Sequence, residues 1–295
     1  MSLENAHWKG LLKSVTRIIL GVLVLAPLYL MFIEKQLIYY PSRALDGKPT
    51  DAGLPFEEAT IEVEPGVTVH GWFIKAAKEP SVATILFSHG NAGNISNRVD
   101  RVHALRSLGV DFLLYDYRGY GKSTGSPDEE GTYRDGRAAY DYLVNVRHID
   151  AKKIVLMGES LGCAISVQLA LDRPAAGLVL EAPFASIVHM AREVYPFLPV
   201  GPFVRTRYDN LAKIPKLRMP LLLFHGTEDE VIPFNHGKML ADAAPEPKLF
   251  VSVNGAHHND VYVVGGETYK RALAEFVQHA VPTAARPTLI EPAKP

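Results

Sequence analysis

The chain has 295 residues, 31 Lys+Arg against 32 Asp+Glu, and 47% apolar residues. That length suits one large globular domain. Near-neutrality without a dense basic stretch excludes phosphate-backbone binding as a main role, so no nucleic-acid partner is expected. A single cysteine, Cys163, excludes an intramolecular disulfide. Neither CxxC nor HExxH spacing occurs, so no metal site is expected, and the serine chemistry read below requires no cofactor.

The first element in chain order is Ile18–Ile33, a run without a charge or a polar face. As a helix it spans roughly 24 Å at ~1.5 Å per residue, somewhat short of a hydrocarbon core of ~30 Å. Val15 and Thr16 before it, and Leu37 and Ile38 after it, extend the span. Arg17 and Lys35 can snorkel to the headgroups. Residues 1–35 therefore read as a single-pass membrane anchor separable from the rest. A signal peptide ending at Ala26 and a helix packed on the domain surface are the alternatives. Lys9, Lys13 and Arg17 favour a cytoplasmic N-terminus with the folded domain on the opposite side.

Residues 36–58, rich in Pro and Gly, read as a linker. From residue 59 to 281 strands alternate with helices. Strands are predicted at 59–64, 67–75, 83–88, 110–115, 153–157, 177–180, 221–224 and 248–252. Helices are predicted at 96–108, 131–146, 160–171 and 266–279. This alternation, with short apolar strands, predicts an α/β domain: a mostly parallel eight-stranded sheet with helices on both faces. Residues 184–217 break the rhythm with four prolines and read as a small lid insertion. The proline-rich tail 282–295 reads as disordered.

Gly158-Glu159-Ser160-Leu161-Gly162 matches G-x-S-x-G between an apolar strand and a helical run. A serine on such a strand-to-helix turn is presented on a strained backbone, with the glycines allowing close approach. That context makes Ser160 a candidate nucleophile rather than an ordinary turn serine. A hydroxyl of this kind needs a base and an orienting acid, expected further along the chain. Asp229, in the polar loop after strand 221–224, is favoured as the acid over Glu181. His257 and His258, after the last strand, both sit where the base belongs. The oxyanion donors are expected to be the N–H of Leu161, at the start of the helix, and that of Asn91 in the loop Ser88–Asn94. Asp116–Ser123 is read as a bracing loop.

Together these motifs resemble the α/β-hydrolase superfamily from about residue 59 to 281. SHGNAGN, DYRGYGKS, GESLG, HGTEDEVIP and GAHHND resemble more narrowly a branch of membrane-associated serine hydrolases. That branch includes eukaryotic depalmitoylases and bacterial relatives with an N-terminal anchor. The resemblance implies an α/β-hydrolase fold and a triad of Ser160, Asp229 and His258. It also implies hydrolysis of ester or thioester bonds in small-molecule or acylated substrates, with the membrane as a partner through the N-terminal helix. An amidase or peptidase with the same triad is the alternative, and a partner-binding scaffold the more distant one. Depalmitoylases attach through lipidated N-terminal cysteines; this chain has none there and offers a hydrophobic span.

Overall fold

The computed structural model describes residues 3–77 and 80–281; the expected disordered tail lies outside them. Eight strands form one sheet: β1 Phe56–Glu64, β2 Val67–Ile74, β3 Ala83–Ser88, β4 Val110–Tyr115, β5 Ile154–Glu159, β6 Gly177–Glu181, β7 Leu221–Gly226 and β8 Lys248–Val253. Their spatial order is β8-β7-β6-β5-β3-β4-β2-β1. All neighbours are parallel except β1 with β2 and β2 with β4.

The parallel strands are buried on both faces, and their side chains alternate between two cores. On β3, Leu86 faces a core shared with Leu143 of α3 (Glu129–Asn145) and Ile165 of α4 (Leu161–Asp172). Ile85 and Phe87 face the other core. There they join Val102 of α2 (Val99–Leu105) and Leu273 of the C-terminal helix Val261–Ala280, which kinks at Gly266. Each such side chain, fully buried, contributes roughly 1.5–3 kcal/mol. Helix α4 is apolar and buried through most of its length, turning polar at Gln168 and Asp172 near its end.

The position of the site follows from the connectivity. β3 is flanked by β4 on one side and by β5 on the other. The chain therefore leaves β3 in one direction and later returns beyond it. The loops after β3 and β5 diverge at their carboxyl ends, which opens a crevice there.

Five segments carry detail beyond the sequence expectations. The first helix, α1, runs unbroken from Leu3 to Ile38, past the expected boundary at 35. It is long and apolar enough to cross a membrane, and little of it is buried. The expected linker is stitched to the domain: Tyr40–Pro41 pairs in parallel with Ala92–Gly93 in the loop after β3. The β6–β7 connection is ordered as α5 (Ile187–Val194), a short turn of helix at Gly201–Phe203, and α6 (Asn210–Lys213). Helix α7, Phe234–Ala243, was not predicted. The C-terminal helix, α8, starts at Val261 rather than 266.

Candidate active site

β5 ends in the turn that carries Ser160, with φ 52° and ψ −115°. This is an unfavourable conformation for a residue with a Cβ, and the surrounding packing holds it. A Cβ at Gly158 would lie 2.5 Å from the Gly162 carbonyl oxygen, and one at Gly162 would overlap the Ser88 carbonyl. Only glycines let the turn close onto α4 and onto the end of β3. The Ser160 N–H donates to the Glu181 carbonyl at 2.9 Å, fixing the turn on β6.

The structure brings Ser160, His258 and Asp229 together. His258 Nδ1 lies 2.8 Å from Asp229 Oδ2, and its Nε2 lies 3.1 Å from Ser160 Oγ. All three residues are buried. Nδ1 facing a carboxylate carries the proton of a neutral imidazole, leaving the Nε2 lone pair toward the serine hydroxyl. Asp229 Oδ1 accepts the N–H groups of Val231 (2.9 Å) and Ile232 (2.7 Å). His225 Nε2 lies 3.4 Å from Oδ2 while donating to the Ile232 carbonyl at 2.9 Å. Burial pushes the Asp229 pKa up. The hydrogen bonds from His225 and His258 outweigh this and hold it well below the usual carboxylate range.

His257 points elsewhere. Its ring is exposed, with Nδ1 3.1 Å from Glu230, and that hydrogen bond raises its pKa. Asp260 accepts the His257 N–H at 2.7 Å, which sets the turn that carries both histidines. Glu181, the alternative acid, lies behind the nucleophile. Its carboxylate meets Arg101 at 2.8 Å and accepts the Tyr269 hydroxyl at 2.7 Å. Glu159 is bound beside it by Arg98 Nε at 2.9 Å. This buried network, with the Arg101 guanidinium 4.5 Å above the Tyr262 ring, braces the turn from below. Arg98 and Arg101 were not anticipated, because nothing local in the sequence pairs them with β5 or β6.

Asn91 and Leu161 line the same cavity as Ser160. Asn91 is tied down on three sides. Its side-chain amide donates to the Ile38 carbonyl at 2.9 Å. Its own carbonyl accepts the Tyr40 N–H at 3.0 Å and the Tyr120 hydroxyl at 2.8 Å. Tyr120 belongs to the Asp116–Ser123 loop, which thus does brace the neighbourhood. That loop is itself fixed by Arg118, whose guanidinium is bound by Asp135 at 2.8 Å.

The cavity above Ser160 has a volume of about 380 Å³, in the range of small-molecule sites. Glu34, Asn91, Ser160 and the tyrosines 40 and 195 carry its polar side-chain atoms; every other lining side chain is hydrocarbon or thioether. One wall is α5, through Ile187, Met190, Ala191 and Val194, a stripe at helical spacing. α5 is held over the site by Glu193, 2.8 Å from His236 Nε2 on α7, while His236 Nδ1 accepts the Ala185 N–H at 2.9 Å. His236 carries no local signature of this role, because its partners are distant in sequence. No cluster of His, Cys, Asp and Glu suited to a metal ion occurs among the described residues.

A hydrolase-type sheet with a strained serine turn at its switch point defines the class, and the comparisons agree: the chain belongs to the α/β-hydrolase family. A model of the alpha/beta hydrolase fold matches residues 83–213. The chain is 34% identical over 277 residues to Rv2307c of Mycobacterium tuberculosis (strain ATCC 25618 / H37Rv), covering 94% of this chain and 97% of that protein. It is 32% identical over 286 residues to the alpha/beta hydrolase domain-containing protein WAV2 of Arabidopsis thaliana, covering 89% and 93%. Among solved structures, the Pyrococcus furiosus esterase Pf2001 shares the fold with a TM-score of 0.67 at 19% identity. That match covers 83% of this chain and 99% of that one.

Proposed function

We propose that the protein is a serine hydrolase that cleaves carboxylic ester or thioester bonds, with Ser160 as nucleophile, His258 as base and Asp229 as orienting acid. The observation that carries this reading is the continuous chain from Asp229 through His258 to Ser160 Oγ, ending on a strained turn at the floor of an apolar cavity.

In the first step Ser160 Oγ attacks the carbonyl carbon as its proton passes to His258 Nε2. The resulting imidazolium is stabilised by Asp229, whose depressed pKa keeps it ionised. The N–H groups of Asn91 and Leu161 hold the oxyanion, each worth about 3 kcal/mol in the transition state. The carbon–oxygen or carbon–sulfur bond then breaks, and the leaving group departs with the proton from His258. A water molecule attacks the acyl-serine, giving its proton to His258. The acyl–Oγ bond breaks, the serine recovers its proton, and a carboxylic acid is released. The residues supply every proton transfer without a cofactor.

The predominantly apolar lining of the cavity supports an acyl substituent over the polar chain of a peptide, and so favours ester or thioester over amide cleavage. We further propose that α1 spans a membrane once, with Lys9, Lys13 and Arg17 on the cytoplasmic side and the catalytic domain on the other. The test is labelling by a fluorophosphonate probe together with hydrolysis of p-nitrophenyl esters. Wild-type protein should do both and Ser160→Ala neither; a wild-type protein inert in both assays would overturn the reading.

A further inference from the structure

The cavity has a second wall that the helix spacing of α1 explains. Pro27, Leu30, Met31, Glu34, Leu37 and Ile38 line it. These positions recur at three- and four-residue intervals, so they form one stripe along the last three turns of the helix. The opposite stripe is turned outward: Tyr29 is 63% exposed and Phe32 is 82% exposed. The end of α1 is fixed to the domain by specific bonds. The Glu34 carboxylate accepts the N–H of Thr206 at 2.6 Å and that of Arg205 at 3.1 Å. The Tyr39 hydroxyl lies 2.9 Å from that of Tyr208, which in turn lies 2.7 Å from Thr132 Oγ1. α1 is thus docked at the site through its last turns, while the portion before Pro27 stands clear.

The rim is apolar as well. Leu37, Val194 and Val231 line the cavity and are exposed at the surface. The cavity therefore opens between α1, α5 and the loop that carries Asp229, through a mouth edged by hydrocarbon. Phe197, 92% exposed, follows α5 in the connection to the Gly201–Phe203 turn, which packs on α1.

We propose that the inner stripe of α1, with Leu30 and Met31 at its centre, is the binding wall for an unbranched acyl chain whose carbonyl sits at Ser160. The same helix then serves as membrane segment and as determinant of chain length, with its two stripes divided between the two roles. This deepens the serine-hydrolase reading and rests on it.

The test uses full-length protein in phosphatidylcholine nanodiscs and compares Leu30→Trp and Met31→Trp with Phe32→Trp. The quantity read is the ratio of kcat/KM for p-nitrophenyl laurate to that for the butyrate, with ester supplied as monomer or preloaded in the lipid. The ratio should fall about tenfold or more in both inner-stripe variants, whichever the source, and stay at the wild-type value in Phe32→Trp. A fall only with preloaded ester would show that α1 governs uptake from lipid and would overturn the binding wall, as would an unchanged ratio in all three or an equal fall in Phe32→Trp. A second arm needs no turnover. Full-length Ser160→Ala is photocrosslinked with a palmitate carrying a terminal diazirine. Crosslinks at Leu30, Met31 or Leu37 that excess palmitate removes would support the wall even if no ester is cleaved, in which case only the hydrolase reading fails. Crosslinks confined to the outer stripe would overturn it.

Discussion

The side-chain amide of Asn91 donates to the carbonyl of Ile38, the last residue of α1, at 2.9 Å. The proposed oxyanion donor is therefore positioned by the end of the N-terminal helix, a contact that no local pattern in the sequence signals. Asn91→Ala keeps the main-chain N–H but releases this tether. Losing one hydrogen bond of about 1 kcal/mol should lower kcat on the order of tenfold with little change in KM. Steady-state kinetics on a short ester checks this, and a change confined to KM would point to a binding role instead.

Ser160→Ala should abolish turnover, on the order of 10⁶ in kcat by analogy with other serine triads, with circular dichroism unchanged. His258→Ala should cost nearly as much. His257→Ala should cost far less, because its exposed ring turns to Glu230 rather than to Ser160. A reversed ranking would shift the base by one residue.

Asp229→Asn should leave the fold intact and lower kcat on the order of 10³–10⁴, since an amide cannot stabilise the imidazolium. Glu181→Gln should show the opposite profile: a smaller loss of kcat but a larger loss of stability. Its carboxylate is the nearer of two buried partners of Arg101, with Glu159 at 3.8 Å, and removing it costs up to about 3 kcal/mol. Urea denaturation beside kinetics separates the two.

Stability should fall on acidification, in part through Glu159. Burial raises its pKa, but Arg101, Arg98 and His89 outweigh that and hold it at about 2 in the folded protein. The unfolded value is about 4.3. A carboxyl depressed on folding contributes fully above the unfolded pKa and loses its contribution as pH falls through the folded one. The window therefore runs from roughly pH 5 down to 2, with an effect on the order of 3 kcal/mol. Asp229 acts in the same direction. Glu159→Gln should lower stability at neutral pH and flatten the dependence across that window. Thermal melts at stepped pH would show it, and parallel curves for the two proteins would remove Glu159 from the account.

Full-length protein should fractionate with membranes and resist carbonate extraction, because the helix before Pro27 is apolar and stands clear of the domain. Deleting residues 2–24 should release the anchor function while sparing the cavity. Deleting residues 2–35 should in addition remove Glu34 and most of the inner stripe, including Leu30 and Met31, and hydrolysis of long-chain esters should fall more than that of short ones. Equal activity of the two deletions on laurate and butyrate would restore the separable anchor.

Some of this protein was legible along the chain because its determinants are local. Alternation of short apolar strands with helices is a matter of side-chain period, and it yields eight strands and a parallel sheet without any knowledge of contacts. The Ser160 turn is equally local: Gly158 and Gly162 at fixed offsets, between a strand and an apolar helix. The identity of the polar groups around it depends on partners far away in sequence. Asp229 is reached from His258 across 29 residues and Ser160 from His258 across 98, and the choice between adjacent histidines turns on which ring the Asp260-fixed turn directs inward. The bracing by Arg98 and Arg101, the His225 contact to Asp229 and the His236 hold on α5 carry no local signature. The largest difference concerns α1. Hydropathy reads a run such as Ile18–Ile33 as uniform, because period alone cannot tell which stripe of an all-apolar helix packs on the domain and which is left exposed. That division appears only when the chain after Ile38 pairs with the loop beyond β3 and draws the last turns of the helix against α5, over the serine.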